Sequence, residues 1–180
     1  MLETLQKKGY LIMGHNSLQG ENQQVSLEVK MGWFGGILDG EGYIGVSRYI
    51  GRYVFAPKIE IVNTNKIIID SCIDCLKQLK VPHYVRNIPG TKRYKEQWRI
   101  LIYGFKRTQK LLPNIIPYLI GKKEVAILLL ELVNSRLQFD YNSVSPEKRK
   151  WTNEQLKIAD KIMNFNKRKL SKTSTTIRQA

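Results

Sequence analysis

Acidic residues are scarce in this chain, and cysteine and histidine are rarer still. Fifteen Asp and Glu stand against 30 Lys and Arg, for a net charge of +15. A surplus of that size narrows the partners to nucleic acid, an acidic membrane surface or an acidic protein. Long apolar runs are also missing. None approaches the about 18 residues of a membrane helix, so no membrane partner is expected. The apolar patch Tyr10-Leu11-Ile12-Met13 is too short for a signal sequence, and none is expected. The only cysteines, Cys72 and Cys75, fall at helical spacing among apolar residues. With no second pair, and with His15 and His83 far off, core packing is favoured over a zinc site. Nothing points to an oxidising compartment.

What is present suffices for a core, with 42% of the 180 residues apolar. Residues 1–25 read as a loosely held polar extension, 26–170 as one domain and 171–180 as a basic tail. A helix is expected from near Ser26 to Leu38, with Val29, Trp33, Phe34, Ile37 and Leu38 at helical intervals. Two strands follow, Tyr43 to Ile50 and Tyr53 to Val62, around a Gly51-Arg52 turn. Pro57 is placed at an edge or bulge, since it lacks a ladder donor. Asn63 or Thr64 caps a helix to about Lys80. A second hairpin spans Tyr84–Ile88 and Tyr94–Tyr103. Helices are then expected from Phe105 to Leu112, limited by Pro113, and from Lys122 to Gln138. Ser145-Pro146-Glu147 resembles another helix start, and Thr152-x-x-Gln155 reads as a capping box. The order implies an α+β fold: an αββαββα core whose antiparallel hairpins form a saddle, with C-terminal helices added.

The positive charge is concentrated on the hairpins. Residues 83–107 hold seven bases, Arg86, Lys92, Arg93, Lys95, Arg99, Lys106 and Arg107, against Glu96 alone. The first hairpin adds Arg48, Arg52 and Lys58. A twisted ribbon fits the DNA major groove, where Arg bonds guanine and Gln reads adenine. Arg48, Arg52, Lys58, Glu60, Arg86, Arg93, Lys95, Gln97 and Arg99 are therefore the candidate DNA-binding residues. Residues 147–178 carry ten bases and three acids, a composition suited to phosphate contacts.

Two acids, Asp39 and Glu41, sit one residue apart in a glycine-rich turn between the first helix and first strand. Phosphodiester hydrolysis needs a divalent ion, and Mg²⁺ takes one or two carboxylates while keeping several waters. One such turn is too little alone. A second copy across a two-fold axis supplies another carboxylate, and Gly35, Gly36 and Gly40 let two helices approach backbone to backbone.

Phe34-Gly35-Gly36-Ile37-Leu38-Asp39-Gly40-Glu41-Gly42 resembles the signature of the LAGLIDADG homing endonucleases. The strand Tyr43-Ile44-Gly45-Val46 and the element order extend the likeness over roughly residues 30–170. Phe34-Gly35 stand where Leu-Ala is usual, and Glu41 replaces the commoner final Asp. The resemblance implies a site-specific double-strand DNA endonuclease with Mg²⁺ (Mn²⁺ or Ca²⁺ can take its place). One motif copy implies a homodimer on a near-palindromic site, with Phe34, Gly35, Gly36, Leu38 and Asp39 at the interface. It implies Glu41 and the Gly40 carbonyl as metal ligands. Pro117-Tyr118-Leu119-Ile120-Gly121-Lys122 matches the segment whose lysine helps activate solvent, which makes Lys122 a catalytic candidate. The polar position after the second strand falls at Asn63 or Thr64, and Thr64 is taken as catalytic. Ile67-Ile68-Ile69 occupies the place of the family's next basic residue. Two alternatives stay open: an RNA maturase with intron RNA as partner, and a non-cleaving DNA-binding member of the fold. The compartment stays open among archaeal or bacterial cytoplasm and organelles.

Overall fold

Helical spacing ahead of the acidic turn becomes the first helix of a computed structural model that describes residues 26–48, 55–138 and 150–176 (for 168–176, the backbone path alone). Arg52 and the Gly51-Arg52 turn, the Ser145-Pro146-Glu147 start and residues 1–25 lie outside the described residues. Helix α1 spans Leu27–Gly40, and Ser26 caps it by accepting from the Val29 amide. Strands β1 (Gly42–Arg48) and β2 (Phe55–Asn63) follow, then α2 (Lys66–Gln78), β3 (Tyr84–Ile88) and β4 (Gln97–Tyr103). Helices α3 (Phe105–Ile115), α4 (Lys123–Leu137) and α5 (Asn153–Thr176) are the remaining helices among the described residues, with a 3₁₀ turn at Ile116–Tyr118. Among the described residues, no helix is long and apolar enough to cross a membrane.

The four strands form one antiparallel sheet in the order β1-β2-β4-β3, which puts β2 and β4 at its centre. Alternation divides the faces. Ile44, Val46, Ile59, Ile61, Ile100 and Ile102 point inward and are buried. Phe34 and Leu38 of α1 pack against the same core, together with Leu76 of α2, Leu112 of α3, Leu129 of α4 and Ala159 of α5. Burying each large apolar side chain contributes about 1.5–3 kcal/mol, so this face orders the helices over it. Lys58, Glu60, Arg99, Leu101 and Tyr103 point the other way and keep partial exposure.

Two prolines depart from expectation. Pro57 is on central β2, not at an edge, yet it costs little. It pairs with Val46 of β1, while the β4 ladder starts only at Lys58, and its carbonyl accepts from Gly104 N at 3.0 Å. Its missing donor therefore falls beyond the end of β4. Pro113 lies inside α3, which runs on to Ile115. Continuing the helix buries Ile115 completely, and that gain offsets much of the about 3 kcal/mol cost of an interior proline.

Of the helix caps read from the sequence, one formed in place and one shifted. The capping box is reciprocal: Gln155 N donates to Thr152 Oγ1 and Thr152 N to Gln155 Oε1, both at 3.2 Å. The cap of α2 is Asn65, one residue past the expected pair, accepting from Ile67 N at 2.9 Å. Both cysteines are buried and free, and burial pushes the Cys72 thiol up to about 12, so it stays protonated. Past residue 170, where the basic tail was expected, α5 continues to Thr176.

Candidate catalytic turn and nucleic-acid face

Helix α1 ends at Gly40 and leaves Glu41 exposed at the junction with β1. The Glu41 amide donates to Ile37 O at 2.9 Å. Gly42 must be glycine, because a Cβ there would sit 2.7 Å from Leu38 O and 2.9 Å from Leu38 Cα. The chain thus turns tightly from helix to strand with the Glu41 carboxylate outside.

Asn63, at the end of β2, donates from Nδ2 to Glu41 Oε2. Its Oδ1 accepts from Asn65 N at 2.7 Å, which fixes the amide with its donor end toward Glu41. No hydrogen bond joins Thr64 to Glu41, and Thr64 is exposed. Of the two polar residues after β2, the structure brings Asn63 to the acid.

Asp39 and Lys122 form a reciprocal lock between α1 and α4. The Asp39 carboxylate accepts from Ile120 N at 2.5 Å, Gly121 N at 3.1 Å and Lys122 N at 2.8 Å. Lys122 Nζ donates to Leu38 O at 2.6 Å and Asp39 O at 2.7 Å. Each helix end gets from the other what its own sequence omits. The last turn of α1 has no basic residue, and Lys122, the N-cap of α4, makes no side-chain capping bond to its own helix. An ammonium at a helix C-terminus and a carboxylate at an N-terminus both favour the macrodipole. The lock secures the backbone immediately before Gly40 and Glu41.

Burial acts to raise the Asp39 pKa, but the amides of Ile120, Lys122 and Gly121 and the Lys122 charge outweigh it. The net value falls below the ordinary 3.8. A depressed carboxylate stabilises the fold fully above its unfolded pKa, and that contribution is lost as pH falls through the lower folded value. Asp39→Asn is therefore expected to flatten the acid limb of a plot of Tm against pH below about pH 4. Near neutral pH it should cost about 1–2 kcal/mol, read by urea melts, because one acceptor oxygen becomes a donor facing amides.

The residues expected at a dimer interface separate into two groups. Phe34 and Leu38 have no exposure and belong to the protomer core. Gly35 is buried under Tyr118, with a Cβ position 2.8 Å from both Tyr118 Cβ and Tyr118 O. Asp39 is engaged in the lock. Gly36 alone of the five is exposed, and among the described residues nothing outside its own helix backbone lies within 4 Å of its Cβ position. It lies on an outward stripe with Val29, Gly32, Trp33 and Gly40, where Val29 is 61% and Trp33 39% exposed. Gly32 lies outside the expected set but shares this exposed stripe, and the four-residue spacing Gly32-Gly36-Gly40 marks it in the sequence. A groove of about 540 Å³, lined by Val29, Lys30 and Trp33 of α1 and by Ser71, Asp74 and Cys75 of α2, borders the stripe at Val29 and Trp33.

On the open sheet face, Glu60 Oε2 lies 2.7 Å from Lys58 Nζ and Oε1 lies 2.8 Å from Arg99 Nε. Lys58 also sits 5.4 Å from the Tyr43 ring centroid. Arg86 is opposite Arg99 on the adjoining strand, and Gln97 opposite Ile88. Arg93 and Lys95 occupy the exposed 89–96 loop, and Arg48 ends β1. Arg107, outside the expected set, donates to Tyr84 Oη at 3.0 Å and lies over its ring. Burial raises the Tyr43 pKa, and its hydroxyl donates to Val46 O at 3.1 Å.

No family model matches this chain, and no curated protein matches it by sequence. Its structure matches solved ones. The homing endonuclease I-CvuI, in complex with its target in the presence of 2 mM Ca, aligns with TM-score 0.57 and 23% identity over 77% of this chain and 83% of that one. The archaeal intron-encoded homing endonuclease I-Vdi141I, complexed with DNA, aligns with TM-score 0.51 and 18% identity over 76% of this chain and 98% of that one. The LAGLIDADG homing endonuclease I-GzeII, with its DNA target, aligns with TM-score 0.51 and 12% identity over 75% of this chain but 43% of that one. The chain has the LAGLIDADG homing endonuclease fold.

Proposed function

We propose that this chain is a metal-dependent DNA endonuclease that acts as a homodimer on a long, near-palindromic duplex site. The observation that carries the reading is the exposed Glu41 carboxylate at the end of α1, oriented by Asn63 and backed by the Asp39–Lys122 lock. The stripe of Gly32, Gly36 and Gly40 supports close approach of a second α1, which would bring two Glu41 side chains together. The solved structures that share the fold were named as homing endonucleases bound to target or DNA, and the I-GzeII chain is about twice the matched length, in keeping with two such units.

The donor set fits a hard cation. Among the described residues, no cluster of three or more His, Cys, Asp or Glu could hold a metal ion. Mg²⁺ does not need one, since a single carboxylate, a carbonyl, waters and substrate phosphate satisfy it. Glu41 and the Gly40 carbonyl would hold it, completed by the partner subunit's copies. The ion supplies Lewis-acid stabilisation of charge on the phosphate. The remaining work falls to the chain. Asn63 holds the Glu41 carboxylate in one orientation. Asp39 and Lys122 fix the turn, so Lys122 acts as a positioning residue through the α1 carbonyls. The sheet face, with Lys58, Arg86, Gln97 and Arg99, docks in the major groove, and Arg48, Arg93 and Lys95 meet phosphates around it.

The test is digestion of a randomised duplex library by purified protein with Mg²⁺ and with EDTA. A defined cleaved subset, seen with Mg²⁺ alone, is the expected result. Splicing of a structured RNA with no DNA cleavage would favour the maturase reading instead. Asn63→Ala is expected to lower the cleavage rate about 10–100-fold, the usual cost of losing a group that orients a metal ligand, in single-turnover assays.

A further inference from the structure

Resting on the DNA-binding reading above, we propose that Glu60 is a positioning residue for sequence discrimination: it holds Lys58 and Arg99 in place on the central strands and suppresses their indiscriminate attraction to phosphates. Glu60 is the only acid in the four described strands, which otherwise carry Arg48, Lys58, Arg86 and Arg99. An acid at the centre of a polyanion-binding face opposes affinity, so it requires another explanation.

Its placement supplies one. Glu60 pairs with Tyr43 on one side and Leu101 on the other, in the middle of the sheet. Its side chain is 13% exposed, against 28% for Lys58 and 40% for Arg99. Both carboxylate oxygens are in use, one for each cation. Arg99 meets Glu60 at Nε as a charge contact, without the alignment of a hydrogen bond, which leaves the two terminal guanidinium nitrogens to face away from the acid's oxygens. Those nitrogens are the atoms that bond guanine O6 and N7 together. Lys58 is held from two sides, by Glu60 and by the face of Tyr43. Long cationic side chains lose much rotamer freedom when they read a base, and an acid that orders them beforehand reduces that loss. The same acid cancels one unit of charge and weakens binding to every duplex alike.

Wild-type protein is first used to recover its preferred duplex from a randomised pool. The recovered duplex and a scrambled duplex of the same length and composition are then titrated across a salt series. Glu60→Gln preserves shape and removes the charge. It is expected to bind the scrambled duplex more tightly, with the slope of log K against log salt steeper by about 0.9. The preference for the recovered duplex should fall about tenfold, the scale of one well-placed base contact. Adding Lys58→Met to Glu60→Gln restores the charge balance, so the salt slope should return while the preference stays low. A thermal melt of each variant checks the fold. An unchanged preference in well-folded Glu60→Gln, or its full recovery in the double variant, overturns the proposal and leaves DNA binding standing. A wild-type protein that recovers no preferred duplex overturns the DNA reading itself.

Discussion

Glu41→Gln is expected to abolish cleavage while leaving duplex affinity within about threefold of wild type, since the proposed binding surface is the distant cations of the sheet. The loss of rate should be on the order of 10³-fold, the equivalent of about 4 kcal/mol of stabilisation at the phosphate. The substitution removes one oxygen and the charge and changes nothing in the core, because Glu41 is exposed. Asn63 then faces an amide that still offers it an acceptor, so the fold should melt unchanged. Single-turnover cleavage beside a filter-binding titration separates the two effects. Cleavage surviving in this variant would remove Glu41 from the chemistry.

Gly36→Leu is expected to act with opposite sign on the protomer and on its pairing. Apart from the helix's own backbone, no atom of the described residues lies within 4 Å of the Cβ position, so the protomer has room for the side chain there. A helix interior gains about 0.5–1 kcal/mol when glycine is replaced, and the melting temperature should hold or rise. Two leucines between approaching backbones would force the helices apart. At about 1–3 kcal/mol per overpacked site, dimer dissociation should worsen roughly 10²-fold, with double-strand cleavage falling alongside. Sedimentation at micromolar concentration reads the change directly. Gly35→Ala is the contrast, since its Cβ would press into Tyr118 and destabilise the protomer itself.

The sequence disclosed what is local. Ser26 before α1, the Thr152–Gln155 box and the alternation along β2 need only neighbouring residues, and each element formed where its pattern stood. The acidic turn was legible for the same reason: glycines, two acids and a following strand lie within one short stretch. What escaped depends on partners far along the chain. Asp39 reads as a turn residue, yet its three acceptor bonds go to a backbone more than 80 residues away. Lys122 is a solvent-activating candidate by resemblance, and nothing local to it announces that its ammonium also closes the end of α1. Asn63 and Thr64 are equivalent in sequence, and only the direction of the chain leaving β2 turns Asn63 onto Glu41. The family resemblance placed Phe34 and Leu38 at an interface. Burial shows that the apolar face and Gly35 serve the protomer core, while Gly32, Gly36 and Gly40 face outward.

Counting chains on the preferred duplex by native mass spectrometry tests the central idea most directly. Two chains per duplex are expected for wild type, and Gly36→Leu should reduce that number. One wild-type chain that binds alone and severs both strands would contradict it.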